Sequence, residues 1–378
     1  MIDFATQQWP LIVVILGGIA ASVAFGDKLL SFLQRWHDLK TKGKPKAVTS
    51  DEVEFLRSFL RVIDEDVPLN STVRDILERH AEELTREIRS LRESRSWEKI
   101  LQIRVRVREY FEYSSQYQKA IEFGTAYEAA LKATGDELEA LWVRVKDIGY
   151  MLILDEQYKA GRDEILSVLG EIGSLAPDHK TVRLRFYAHR YVGISHLRSK
   201  KPDVEAAKES FLAARDVTEK GGINNYTELE ARIEGNFGNL ELYLGHIDEA
   251  LLHFGRSLTL FEGVDDIEHI GIANLQTAQA LNRGIRGGGE SHLDVAQQCF
   301  SRIGWAEGIG RVHFEKALMC RNNSMSHVGT EKQVELLKRA RREAEIALQT
   351  FRGIRSAKWI GRTEQLAIEI EDEFGPHA

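Results

Sequence analysis

One stretch constrains this chain more than any other: Ala231 to Leu260, ARIEGNFGNLELYLGHIDEALLHFGRSLTL. It holds two apolar runs at helical spacing, joined at Gly245-His246. Helices this short are marginal in water on their own, so each must bury its apolar face against a neighbour. The small residues say where. Phe237-Gly238 places a large residue beside a small one in the first helix, and Ala250 and Phe254 lie a turn apart in the second. Glycine and alanine let two helix backbones approach closely, and the aromatic ring is expected to fill the groove of the next hairpin. The result is a helical hairpin that still has an apolar face, so it needs a further hairpin to stack on.

The same pattern recurs with drift. Ile148-Gly149 begins one copy, followed by Gln157-Tyr158, with Gly161 where the best copy has alanine. Val192-Gly193 begins another, with Ala206, Ala207 and Phe211 in its second helix. Leu275-Gln276, with Ala296 and Phe300, marks a third, in which Gln276 stands where glycine is expected. GIANLQTAQAL from Gly271 aligns with GIGRVHFEKAL from Gly308, a period of 37 residues, and glycines 149, 193 and 238 are 44 and 45 apart. Upstream, YQKAIEFGTAYEAAL from Tyr117 to Leu131 has the pattern of a second helix. Leu336 to Phe351 matches another, and Trp359 to Ile370 has that of a terminal capping helix.

These residues resemble the tetratricopeptide repeat, a 34-residue helix–turn–helix with small and large residues at fixed places. Ser257-Leu258 replaces the usual Ala-Leu. The resemblance implies an all-α, right-handed helical-repeat solenoid of about six repeats over residues 97–352, with a capping helix and tail over 353–378. It also implies a concave face, lined by the first helix of each repeat, that binds a protein or peptide partner. Carried onto this sequence, the inward positions are Arg190, Arg232, Asn236, Asn239, Tyr243, Asn274, Arg311 and Phe314. The heads of Arg232, Asn239 and Arg311 are expected to reach solvent. Arginine and asparagine donors on one wall resemble a carboxylate-gripping pattern known in the family and imply a partner with an acidic segment. The pair of lysines usual in that pattern is absent.

The N-terminus adds a second constraint. From Phe4 to Gly26 there is no charged residue. As a helix, this run rises about 35 Å, enough to cross a hydrocarbon core of about 30 Å. A single transmembrane helix over 4–26 is expected; a cleaved signal peptide ending near Ser22-Val23-Ala24 and a buried soluble helix are the competing readings. Lys28, Arg35, Lys40, Lys42, Lys44 and Lys46 follow the run, and no Lys or Arg precedes it. The positive-inside rule then places the N-terminus outside and the C-terminal body in the cytoplasm, at an inner membrane of bacterial type. Gly17, Gly18, Ala21 and Ser22 form a small-residue face that leaves homo-oligomer formation open. Residues 27–50 read as an amphipathic, basic linker, and 51–95 as a helical hairpin.

Chemistry is harder to find. No P-loop, HExxH, GxSxG or helix-opening GxGxxG occurs, and the cluster Gly284 to Gly289 lacks the lysine a phosphate loop needs. Cys299 and Cys320 are too few for a disulfide framework and wrongly spaced for zinc. The net charge of −7 is spread along the chain, so no nucleic-acid face is implied. The expectation is a membrane-anchored scaffold or adaptor for protein binding, not an enzyme, with no metal and no cofactor. A regulatory sensor whose groove takes a peptide or small-molecule signal is the alternative. An open groove favours the scaffold, and a closed pocket favours the sensor.

Overall fold

The structure, a computed structural model, describes residues 71–101, 110–112, 114–173, 175, 178–220, 226–284 and 286–374. The expected membrane span at 4–26, the linker at 27–50 and the first part of the 51–95 hairpin lie outside the described residues. Among the described residues no helix is long and apolar enough to cross a membrane. The described chain is all-helical and runs as fifteen α-helices packed in tandem, each mainly on its neighbours in sequence.

Helices α1 (Ser71–Glu93) and α2 (Trp97–Leu101) come first, then α3 (Tyr117–Thr134). Helix α4 (Glu137–Val143) continues through a π-helical turn (Arg144–Gly149) into α5 (Tyr150–Leu154), and α6 (Tyr158–Ile172) packs back on them. Four further hairpins follow: α7 (His179–Arg198) with α8 (Val204–Lys220), α9 (Thr227–Leu244) with α10 (Ile247–Gly263), α11 (Ile267–Arg283) with α12 (Gly289–Ile303), and α13 (Ala306–Ser324) with α14 (Glu331–Gly353). Helix α15 (Ala357–Phe374) lies on α14 and buries Leu366 and Ile370.

Helix ends follow local chemistry. Asp136, Asp178, Asp266 and Thr330 each accept a hydrogen bond from a backbone N–H three residues on, satisfying a donor that the first turn leaves unpaired. Gly245 closes α9 at φ 84°, a left-handed conformation that glycine adopts without a Cβ penalty.

The hairpins are set by helix-to-helix approach. A Cβ at Gly238 would lie 2.5 Å from the Phe254 ring, one at Gly271 2.6 Å from Phe300, and one at Gly310 2.6 Å from Phe351. Gly193 meets Phe211 in the same way, and Gly149 meets Ile165 at 2.5 Å. Those rings and Ala250 are fully buried. At Gly161 a Cβ would fall 2.5 Å from the Gly149 carbonyl oxygen, so there the two backbones touch. One expectation is corrected. The glycine facing Phe300 is Gly271, a turn earlier than the position of Gln276, and Gln276 instead faces the interior of the array.

Gly238→Ala should therefore destabilise the array by about 1–3 kcal/mol, because the added methyl drives into a buried ring. Gly255, exposed in α10 with nothing within 4 Å of an added Cβ, is the control. Gly255→Ala should stabilise by about 0.4–1 kcal/mol by stiffening the unfolded chain. Urea midpoints report both signs; equal shifts for the two variants would exclude the close-approach account.

Candidate binding cavity

The first helices of successive hairpins face a common interior. A cavity of about 490 Å³ lies there, walled by α7, α9, α11, α13 and the π-helical turn with α5. Tyr150 and Tyr191 stack face to face on its wall, centroids 4.0 Å apart, and Tyr187 lies 5.7 Å from Tyr191. Burial pushes the Tyr191 hydroxyl well above its ordinary value, so it stays a neutral hydrogen-bonding group at physiological pH.

Contacts that are remote in sequence close the ring. Glu307, buried in the first turn of α13, accepts hydrogen bonds from the Ser115 hydroxyl and, at 3.0 Å, from the Tyr117 hydroxyl, at the start of α3. Its other oxygen accepts from Trp359 Nε1 of α15 at 3.2 Å. The ammonium of Lys358 lies 3.0 Å from Glu156, in the turn between α5 and α6. Early and late hairpins are thus joined across the mouth of the cavity.

The basic residues on the wall fall into two groups. Arg232 is committed: it donates to Glu228 at 3.0 Å, contacts His269, approaches Asp266 at 3.8 Å and lies over the rings of Tyr187 and Phe261. Burial alone would raise the Glu228 carboxyl, but the charge and hydrogen bond of Arg232 hold it below its ordinary value. Arg283 donates to the Leu242 carbonyl at 3.2 Å. Arg190, Arg198 and Arg311 make no hydrogen bond or ion pair with any described residue. Nε of Arg190, Nε of Arg311 and Nδ2 of Asn236 are all shielded from solvent and have no partner there. Burial lowers the Arg311 guanidinium from its ordinary value. Aromatic faces alone support two of these heads, Arg190 over Tyr191 at 5.3 Å and Arg311 over Trp359 at 5.6 Å.

Six of the eight expected groove residues line this cavity: Arg190, Arg232, Asn236, Asn239, Tyr243 and Arg311. Two do not. Asn274 is buried between helices, where it donates to the Ile270 carbonyl at 2.9 Å and pairs with His292 Nδ1 at 2.7 Å. Phe314 packs on Trp359 and on the cluster that α13 forms with α14. Arg232 is on the expected face, but its head is held by carboxylates rather than by solvent. Sequence reasoning missed Arg198 and Glu307. Arg198 was within reach, since Arg190, Ile194 and Arg198 step by four along one face of α7. Glu307 carried no local signal, because its partners Ser115 and Tyr117 are 192 and 190 residues away. Neither protein-family models nor curated proteins match this chain, so the site rests on geometry and chemistry alone.

Arg232→Ala should destabilise the protein by roughly 3 kcal/mol, because it takes the nearest cation from the part-buried Glu228 carboxylate. Against burial, Arg232 is the main group holding Glu228 below its ordinary value, whereas Asp266 is held below its own chiefly by His269 and largely keeps its share in the variant. The Glu228 contribution is therefore fully present above the unfolded-state range near pH 4 and fades as pH falls through the lower folded value. Chemical denaturation between pH 7 and pH 3 should show wild type losing this increment and the variant lacking it. Parallel curves for the two proteins would dismiss the pairing.

Proposed function

We propose that this chain is a membrane-tethered, right-handed helical-repeat receptor of the tetratricopeptide kind, and that it takes a small or extended ligand into its central cavity. The observation that carries this reading is the closure at Glu307, where one carboxylate holds together the start of α3, the start of α13 and the capping helix α15. A groove closed in this way excludes a folded partner from the concave face. It admits a peptide segment or a small molecule, which favours the regulatory sensor over the open scaffold. An acidic ligand group suits the unpaired arginines on the wall. The tether is the uncharged run 4–26, with the N-terminus outside and the array on the side of the lysines that follow.

Curvature supplies the readout. Each first helix contributes to the cavity wall, so a ligand that bridges several of them favours one curvature over others. A downstream partner would sense that change on the outer, second helices.

Two measurements test the proposal. A cytoplasm-specific reporter fused after Ala378 should be active, and the intact chain should need detergent for extraction; reporter activity on the opposite side would remove the topology. The full chain, purified in detergent from cells that make it, should carry a small ligand or peptide visible by native mass spectrometry. That ligand should fall by about tenfold or more in Arg190→Ala, on the scale of one charge-assisted hydrogen bond. A stoichiometric folded protein bound through the concave face, with no small ligand, would restore the scaffold reading.

A further inference from the structure

We propose that the cavity seats a phosphoryl group, held by the guanidinium heads of Arg190, Arg198 and Arg311 with Asn236 as a further donor. This rests on the cavity being a ligand site and names the chemistry the site takes.

The cavity wall carries six lysine and arginine residues against three glutamates. Arg232 is neutralised by Glu228 and Asp266. Glu307 takes its hydrogen bonds from neutral donors on Ser115, Tyr117 and Trp359 and keeps its charge, and Glu112 and Glu268 also have partners. Arg190, Arg198 and Arg311 are left over, and all three face one cavity of about 490 Å³. Burial and the like charge of Arg198 both weigh against the Arg311 cation, and the carboxylates of Glu307 and Glu315 offset them only in part. Arg198 is exposed, but the Nε atoms of Arg190 and Arg311 and the Asn236 amide are shielded from water with no acceptor, and donors left unmade in this way beside excess positive charge point to an anion that binds there.

The number and kind of donors select among anions. One carboxylate carries a single charge and two oxygens, which one guanidinium fork already satisfies. That leaves two arginines and the shielded amide of Asn236 unanswered. A phosphoryl group carries close to two charges and three strongly accepting oxygens, so it can serve forks arriving from both α7 and α13. Arginine rather than lysine at all three positions fits the same choice, because the planar fork matches phosphate oxygens in pairs. The phosphoryl group could belong to free phosphate or to a phosphorylated segment; the chemistry of recognition is shared.

The test uses the full chain in detergent, with melting followed in inorganic phosphate against sodium chloride of equal ionic strength. Phosphate should raise the melting temperature of wild type beyond the chloride control. The double variant Arg190→Met, Arg311→Met should lose that response, with apparent affinity down by at least about tenfold, as expected for charge-assisted hydrogen bonds. Without phosphate it should melt at or above wild type, because two unpaired buried cations have gone. If that variant does not fold, Arg190→Lys, Arg311→Lys keeps charge without the fork, and its phosphate response should be weaker but of the same sign. A phosphoserine peptide and its serine and glutamate counterparts form the second arm. Tighter binding of the phosphoserine peptide than of inorganic phosphate assigns the group to a phosphorylated segment, and the reverse assigns it to the free ion. Equal phosphate effects on wild type and double variant overturn the proposal. So does binding of the glutamate peptide with no response to phosphate, which would leave the cavity a ligand site for a different anion. Failure of every probe, with no co-purified ligand, would overturn both readings.

Discussion

Everything in this molecule depends on how closely two helices of a hairpin approach. Gly193, Gly238, Gly271 and Gly310 each leave out a side chain where Phe211, Phe254, Phe300 and Phe351 enter. The ring fills what would otherwise be a void, and the missing Cβ lets it reach that place. A contact of this kind fixes the relative setting of the two helices with little freedom, because protein interiors are packed to crystal-like density. Repeating it along the chain repeats the setting, so curvature accumulates instead of averaging out. Accumulated curvature brings Ser115 to Glu307 across 192 residues of sequence. The cavity is therefore a consequence of the hairpin contact, several steps removed.

Two kinds of charge then divide the inner wall. Some arginines serve the fold: Arg232 binds Glu228, and Arg144, in the π-helical turn, bonds Glu164 at 2.6 Å and Glu171 at 2.5 Å. Removing such a group leaves carboxylates unpaired in partly dry surroundings. Others make no hydrogen bond or ion pair with a described residue, and Arg311, seated over the Trp359 ring, is the clearest of them. Its charge is held against burial with no bonded partner among the described residues. Consistency between local chemistry and fold is the rule in stable proteins, and departures from it concentrate where function is carried out. The outer helices show the opposite pattern, with exchanges between neighbours such as Arg352 with Glu364 and Lys132 with Glu128, both solvent-accessible and of small consequence for stability.

How much of this could be read from sequence depends on how local each signal is. The close approach at Gly238 and Ala250 was legible because the hairpin that brings them together spans only a short stretch of chain; the Phe254 ring, expected in the groove of the next hairpin, packs on Gly238 of its own. The inward facing of Arg190, Asn236, Asn239 and Arg311 was legible because helical phase carries a face from one hairpin to the next. Asn274 and Phe314 were misplaced by the same phase argument. Helix α11 makes its close contact at Gly271, a turn before the position of Gln276, and that change of register moves Asn274 into the helix–helix seam. Phe314 was captured by Trp359, a residue of the capping helix that repeat phase does not describe. The commitment of Arg232 to Glu228 could have been suspected, since the two stand four apart on α9.

The closure at Glu307 and the unpaired Arg311 are one turn apart on α13, and that spacing couples the two halves of the structure. Glu307 is drawn toward Arg311 by charge, yet its oxygens are taken by Ser115, Tyr117 and Trp359. The positive field of Arg311 thus competes with those neutral donors for the carboxylate that joins the early and late hairpins. An anion on Arg311, as proposed above, would screen that field and also repel the carboxylate, so the site and the closure would be coupled, and linkage makes that coupling reciprocal. Because the contact joins residues far apart in the chain, a small change in its strength is felt as a change in the curvature of every hairpin between them.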